Sequence, residues 1–367
     1  MCLSIAAHRA CHDPLQCIVP PYMLRVLALR GDPQTADMAR AMLLDSAQMR
    51  QRREAMAHAG LPDPAGPALL PGVARDAAGD PCCPDRRIHD GEGRAALPGR
   101  LIRAEGDPAT GLADADRAYD GAGAVFALFA EEYGRNSLDG QGMPLVATVN
   151  HRRGYNNAFW NGDQMAYGTG DGKTFQTFTE LSVIGHEMAH GVIQFSGGLI
   201  YEGQSGALNE SIADVFGALT LHRGLDQTAA EADWLIGRGI LAPGINGQGL
   251  RSMKAPGTAY ADDLLGRDPQ PWHMDLFVQT ADDNGGVHIN SGIPNHAFYL
   301  YCSYLGGRSW EMPGRIWYRA LQQLNNPMAR FVDWADQTLR AATDLAGPGT
   351  PEVVMLRRAW KLVGIAV

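Results

Sequence analysis

No stretch of about 18 consecutive apolar residues occurs in this chain of 367 residues, so no membrane-spanning helix is expected. Basic runs are scarce as well. None exceeds Gln51-Arg52-Arg53, and the net charge of −9 argues against a nucleic-acid partner. Met1 to Pro20 contains His8, Arg9, His12 and Asp13 and lacks an apolar h-region, so no secretory signal is read there. The expectation that follows is a protein that is cytoplasmic or exported by a non-classical route. Nor do the six cysteines form a disulfide framework, since Cys2, Cys11 and Cys17 crowd the start and Cys82 adjoins Cys83, with Cys302 far away. What remains is ordinary for a globular chain: 45% hydrophobic and 19% charged residues, with length enough for a large core.

Against that background His186-Glu187-Met188-Ala189-His190 stands out. At 3.6 residues per turn, positions four apart lie one above the other, so both imidazoles can reach one metal ion. Glu187 beside them suits a base acting on metal-bound water. Twenty residues after His190 comes Glu210, in a segment with Leu208, Ile212, Val215, Phe216 and Leu219 on the inward side of a second helix. Glu210 and Asp214 share a face, so one can ligate while the other accepts the free N–H of a ligating histidine. Two His and one Glu leave a fourth tetrahedral position open for water, which is a catalytic pattern and not a structural one.

With these ligands go Gly154-Tyr155-Asn156-Asn157-Ala158-Phe159-Trp160, Gly170-Asp171-Gly172-Lys173-Thr174-Phe175, Gly198-Leu199-Ile200-Tyr201, Leu250-Arg251-Ser252-Met253 and Asp283-Asn284-Gly285-Gly286-Val287-His288. In that order, from about Arg87 to the C-terminus, the chain resembles the thermolysin family of zinc metallopeptidases. The resemblance implies an α+β fold of two lobes, β-rich then mainly helical, with the zinc helix between them. It implies zinc on His186, His190 and Glu210, with Asp214 and Asn209 orienting His186 and His190 respectively. It makes Glu187 the base, Tyr201 and His288 the donors to the reacting carbonyl, and Asp283 the partner that orients His288. Asn157, Ala158 and Arg251 would hold the substrate backbone, and Phe175, Val183 and Leu250 the side chain after the scissile bond. The family's double calcium site draws on carboxylates where this chain has Ser182 and Leu221, so that site is expected to be missing. The acidic loops Asp262-Asp263 and Asp282-Asp283 stay open as ion holders.

The N-terminal part reads separately. Ile18-Val19-Pro20-Pro21-Tyr22-Met23-Leu24 has two prolines that fix extended backbone between apolar residues. Asp32 reads as a helix N-cap with Pro33 at the first helical position, and helical sequence follows to about Ala59, stopped by Gly60. Residues 61–85 are proline-rich without periodicity, a linker open to proteolysis. This arrangement resembles the short propeptide of the family's protealysin-like branch. The expected division is 1–60 propeptide, 61–85 linker, 86–205 first catalytic lobe and 206–367 helical lobe. A cysteine of the N-terminal segment capping the zinc stays open beside the reading of inert thiols. Arg117 to Tyr133 reads as helix, and Leu145 to Phe178 as strands and turns. Asn295–Tyr304, Trp310–Leu324, Phe331–Leu345 and Pro351–Leu362 carry apolar residues at helical spacing.

The leading reading is a zinc endopeptidase acting on proteins or peptides, latent until its propeptide is removed. A zinc aminopeptidase is the nearest alternative, but no G-x-M-E-N-like segment offers an anchor for a free amine. A catalytically silent protein whose arm or cleft binds a partner is the other. Whether a protein inhibitor acts on the cleft stays open.

Overall fold

Two prolines shape the first element. The computed structural model describes residues 16–44 and 82–367. Gln16–Cys17 form strand β1; Pro20 then holds extended backbone (φ −64°, ψ 149°), but Pro21 opens helix α1, Pro21–Arg30, so Pro21 to Leu24 are helical where the sequence read as extended. Proline suits a first helical turn, where its missing N–H would have no partner. Asp32 Oδ1 accepts the N–H groups of Gln34 and Thr35 at 3.0 Å each, the N-cap read from the sequence, and helix α2 covers 33–44. The remainder of that helix to Ala59, its stop at Gly60, and the linker apart from 82–85 lie outside the described residues.

Five further strands belong to the same sheet: β2 Arg86–Asp90, β3 Arg100–Ala104, β4 Leu145–Val149, β5 Ala158–Trp160 and β6 Met165–Tyr167. Their order is β1-β5-β6-β4-β2-β3. β1 thus caps the edge that β5 would otherwise expose, pairing Gln16 with Trp160 and Cys17 with Phe159 in antiparallel register. An uncovered edge of this kind presents free N–H and C=O groups to any extended chain.

Helix α3, Ala113–Ala127, starts four residues before the expected Arg117 and runs into a π-helical turn, Leu128–Glu132. The Asp116 carboxylate explains the early start. It accepts the N–H groups of Thr110 and Gly111 at 2.9 and 3.0 Å, anchoring the chain just ahead of the helix.

Helix α4, Leu181–Gln194, and helix α5, Gly203–Gly224, are almost wholly buried. They cross where two glycines meet. A Cβ on Gly217 would stand 2.5 Å from the Ser182 carbonyl oxygen, and one on Gly185 would stand 2.9 Å from the Gly217 Cα. Only glycine lets the two backbones come this close, and that closeness brings α5 within side-chain reach of the α4 histidines.

After α5 come loops with two small antiparallel pairs, Leu235–Ile236 with Arg251–Ser252 and Ala261–Asp262 with Gly266–Arg267. Then come the helices α6 Asp283–Asn290, α7 Gly292–Leu305, α8 Met312–Gln323, α9 Phe331–Ala346 and α10 Pro351–Leu362. The last three lie within two residues of the sequence reading, and α7 starts three earlier because Pro294 is accommodated in its first turn. The fold is α+β, a sheet-bearing first lobe and a helical second lobe. α4 stands at their junction, packed on β5 on one side and α5 on the other.

Candidate active site

The one-turn spacing in α4 puts His186 and His190 side by side, their Nε2 atoms 3.0 Å apart. Each ring donates through its other nitrogen: His186 Nδ1 to Asp214 Oδ1 at 2.8 Å, and His190 Nδ1 to Asn209 Oδ1 at 2.9 Å. Asn209 is oriented by its own donation to the Leu199 carbonyl, which leaves its oxygen facing the imidazole. With Nδ1 protonated on both neutral rings, two lone pairs face each other across that short gap, and a cation is what reconciles them. Glu210 completes the set, its carboxylate oxygens 3.6 Å from His186 Nε2 and 3.5 Å from His190 Nε2. Its Oε2 is buried and has no hydrogen-bond partner. A nitrogen-nitrogen-carboxylate set with one buried orphan oxygen fits a zinc ion, and His186, His190 and Glu210 form the one such cluster among the described residues.

The groups around the metal position are equally enclosed. Glu187 is 0% exposed, and its Oε2 accepts the Trp160 N–H at 3.0 Å while Oε1 is unpartnered. Burial first, and then the Glu210 carboxylate, push the Glu187 carboxyl well above the usual range. Tyr201 donates to Glu210 Oε1, and its oxygen lies 3.2 Å from His288 Nε2. Asp283 grips His288 twice: Oδ1 takes the imidazole Nδ1–H at 2.7 Å and Oδ2 takes the backbone N–H at 2.9 Å. The grip depends on local backbone. Asp283 and Asn284 hold left-handed φ values of 54° and 50°, followed by Gly285 and Gly286, so the chain doubles back on itself. Burial disfavours charge on His288, but Asp283 and Glu210 outweigh it and raise the imidazole to about 9. Both its ring nitrogens are then donors near neutral pH.

The cleft is filled by the chain's own N-terminal strand. His288 Nε2 donates to the Cys17 carbonyl at 3.1 Å, the Ile18 N–H donates to the Ala158 carbonyl at 3.2 Å, and Arg251 Nη1 donates to the Ile18 carbonyl at 3.1 Å. Asn157 takes the Val19 N–H on Oδ1 at 2.9 Å and returns a bond from Nδ2 to the Val19 carbonyl at 3.3 Å. Every polar residue that the sequence assigned to substrate backbone therefore holds backbone here. Ile18, Phe175 and Val183 are 0% exposed and Leu250 1%, all in one apolar cluster. Cys17 Sγ donates to the Val19 carbonyl at 3.6 Å.

Ser182 and Leu221, the positions read for calcium, are otherwise engaged. The Ser182 hydroxyl bonds the Glu180 carboxylate and accepts the Gly237 N–H at 2.9 Å, while Leu221 is half-buried in α5. The Asp262 carboxylate is taken up by the N–H groups of Leu264, Leu265 and Asn246, and Asp282 pairs with Arg25 at 2.7 Å.

Three residues escaped the sequence reading. Gly185 and Gly217 set the helix approach, and a small residue on each of two apolar helices was the available signal. Asn295 donates to Asp214 Oδ2 at 2.8 Å from the far side. Nothing in local sequence marks it, because its partner lies 81 positions away.

Known proteins carry the same architecture. The model of the thermolysin metallopeptidase catalytic domain matches residues 104–194, and that of the thermolysin metallopeptidase alpha-helical domain matches 197–365. The chain belongs to the thermolysin family. It is a zinc metalloendopeptidase of the protealysin-like type. An "Extracellular metalloprotease" of Pectobacterium carotovorum subsp. carotovorum is 44% identical over 96% of this chain and 97% of its own length. An "Extracellular minor metalloprotease" of Serratia marcescens is 40% identical over 82% of this chain and 80% of its own. Among solved structures, the precursor of protealysin, a metalloproteinase from Serratia proteamaculans, matches with a TM-score of 0.83 at 43% identity, covering 96% of this chain and 100% of that one.

The relatives' names overturn one expectation. A cytoplasmic protein or a non-classical route was read from the polar first 20 residues, whereas thermolysin-family relatives similar over most of this chain are named extracellular and point to export. The polarity of a terminal segment says little about where the folded enzyme works. No helix among the described residues is long and apolar enough to cross a membrane.

Proposed function

We propose that this metalloendopeptidase cleaves peptide bonds on the amino side of bulky apolar residues, and that it is made as a latent precursor whose own N-terminal segment blocks the cleft until the linker is cut. One observation carries the reading: His288, Ala158, Arg251 and Asn157 hold three consecutive residues of the chain by five backbone hydrogen bonds. Extended peptides bind sheet edges in just this manner. We take the buried Ile18 for the residue that follows the scissile bond and assign the pocket for that side chain to Phe175, Val183 and Leu250, which are buried in the same apolar cluster. In this reading residues 1–60 are propeptide and 61–85 the linker, with catalytic lobes at 86–205 and 206–367.

His186, His190 and Glu210 would hold zinc, which would supply a Lewis acid for the carbonyl and a water acidified toward neutral pH. Glu187, buried and with one free oxygen, takes a proton from the attacking water and passes it to the departing nitrogen. Tyr201 and the doubly protonated His288 stabilise negative charge growing on the carbonyl oxygen. Asp283 keeps His288 in its orientation, and Asp214 and Asn209 do the same for His186 and His190. Arg251 and Asn157 align the substrate backbone. Calcium is left with few oxygen ligands at Ser182 and Leu221, so we propose that the family's double calcium site is missing.

Purified wild type and Glu187→Ala, compared for zinc content, mass and casein cleavage, test this. Glu187→Ala should keep its zinc, stay full-length and leave casein intact. Normal maturation of pure Glu187→Ala would refute self-processing. A preference for acidic or basic residues after the cut would refute the pocket.

A further inference from the structure

The strand in the cleft is bound in register as well as in direction. The carbonyl facing His288 belongs to Cys17, and the carbonyl on Arg251 belongs to Ile18. Between them lies the Cys17–Ile18 peptide bond, with its N–H on Ala158. A carbonyl that meets the oxyanion donors, followed by an N–H on the sheet edge and a carbonyl on the guanidinium, is what a substrate would present at the bond to be broken. On the other side, Gln16 pairs with Trp160, so the alignment continues past the reacting position. Glu187 Oε2 accepts the N–H of Trp160, the residue paired with Gln16, so the carboxylate lies beside the aligned strand.

We propose that Cys17–Ile18 is itself a cleavage site, hydrolysed within the same molecule, and that the larger product stays docked. This rests on the reading of Glu187 as the base and of residues 17–19 as substrate-like. Water adds its oxygen to the Cys17 carbonyl carbon and the C–N bond breaks. Cys17 leaves as a carboxylate, and Ile18 keeps the electron pair and takes the proton carried by Glu187. The departing segment ends at residue 17, where the β1–β5 pairing, the His288 contact and the Cys17 Sγ bond to the Val19 carbonyl act on it. The retained segment holds far more. Val19 keeps both bonds to Asn157, and Met23, Leu24 and Leu27 of α1 are at most 1% exposed in the core. Arg25 pairs with Asp282 at 2.7 Å, and Arg30 donates to the Asp263 carbonyl at 3.0 Å. Loss of residues 1–17 therefore leaves the cleft blocked downstream of the cut, and this first cut does not by itself activate the enzyme.

Intact mass and N-terminal sequencing of the full-length chain, incubated with zinc, decide the matter. A species beginning at Ile18 should appear before casein activity develops, at a rate unchanged over 100-fold dilution, and should be absent from Glu187→Ala. Ile18→Gly should slow its formation by about 100-fold or more, since an apolar pocket then loses the whole aliphatic side chain. If Ile18→Gly misfolds, the wild-type dilution series still decides. An intact Cys17–Ile18 bond in a sample that goes on to cleave casein overturns this proposal and leaves the proposed function standing. A rate that rises with concentration overturns the intramolecular step. Neither cut nor casein activity in zinc-loaded protein would sink the proposed function itself.

Discussion

Arg251 and Asp214 are joined by two hydrogen bonds of 2.8 Å each, Nε to Oδ2 and Nη2 to Oδ1, with side chains 1% and 0% exposed. The same carboxylate accepts His186 Nδ1 and Asn295 Nδ2, so one buried aspartate ties a histidine of the metal cluster to the arginine that holds the Ile18 carbonyl. Burial opposes its charge, but Arg251 and His186 hold its carboxyl well below the usual range. A charge this enclosed survives only because all its partners are in place. Asp214→Asn should therefore damage two functions together. Zinc affinity should fall about 10- to 100-fold in a chelator competition, as for other partners of metal-bound histidines, and KM should rise as Arg251 loses its anchor. A change confined to kcat would contradict this coupling.

Glu187→Ala removes the base and no metal ligand. Turnover should drop about 100- to 10,000-fold with zinc content unchanged by metal analysis.

Asp283→Asn tests the grip on His288. Asp283 and Glu210 together raise the imidazole to about 9, so loss of the Asp283 charge moves that value down. A group raised in this way acts below its pKa and is lost as pH climbs through it. The alkaline limb of the kcat profile should shift to lower pH, with kcat falling about 100-fold, the order of one lost oxyanion donor.

His151 links stability to acid. Its ring is 1% exposed, caged edge-on by Tyr155 and Phe159 at 5.1 and 5.3 Å, and neither nitrogen has a partner among the described residues. Burial lowers it from 6.5 to about 4. The unfolded chain protonates first as pH falls, so stability is whole above 6.5 and is lost between there and 4. The loss is at most on the order of 3 kcal/mol. His151→Phe should flatten denaturant midpoints across that range.

Gly217→Ala probes the helix crossing. Its new methyl would meet the Ser182 carbonyl at 2.5 Å, where backbone and not a flexible side chain must yield. Destabilisation of about 1–3 kcal/mol is expected, with weaker zinc retention as Glu210 is pushed from the histidines.

Spacing along single helices was legible without coordinates. His186 and His190 four apart, the Asp32 cap and the apolar period of α8 to α10 are local patterns, dictated by backbone geometry within a few residues, whereas α1 was missed because its two prolines read as extended chain. The roles of Tyr201, His288, Asp283 and Arg251 were legible only through family likeness, because no short-range rule joins positions so far apart.

What the amino-acid order determined alone is the pair of imidazoles on one helix face and the Asp32 cap that opens α2. Only the folded chain decided that Asn295 completes the Asp214 hub, that two glycines bring α5 onto α4, and that Cys17 to Val19 enter the cleft in substrate register. Those depend on contacts between segments tens to hundreds of residues apart, and a carboxylate's partners there are chosen by packing, to which neighbours along the chain contribute almost nothing.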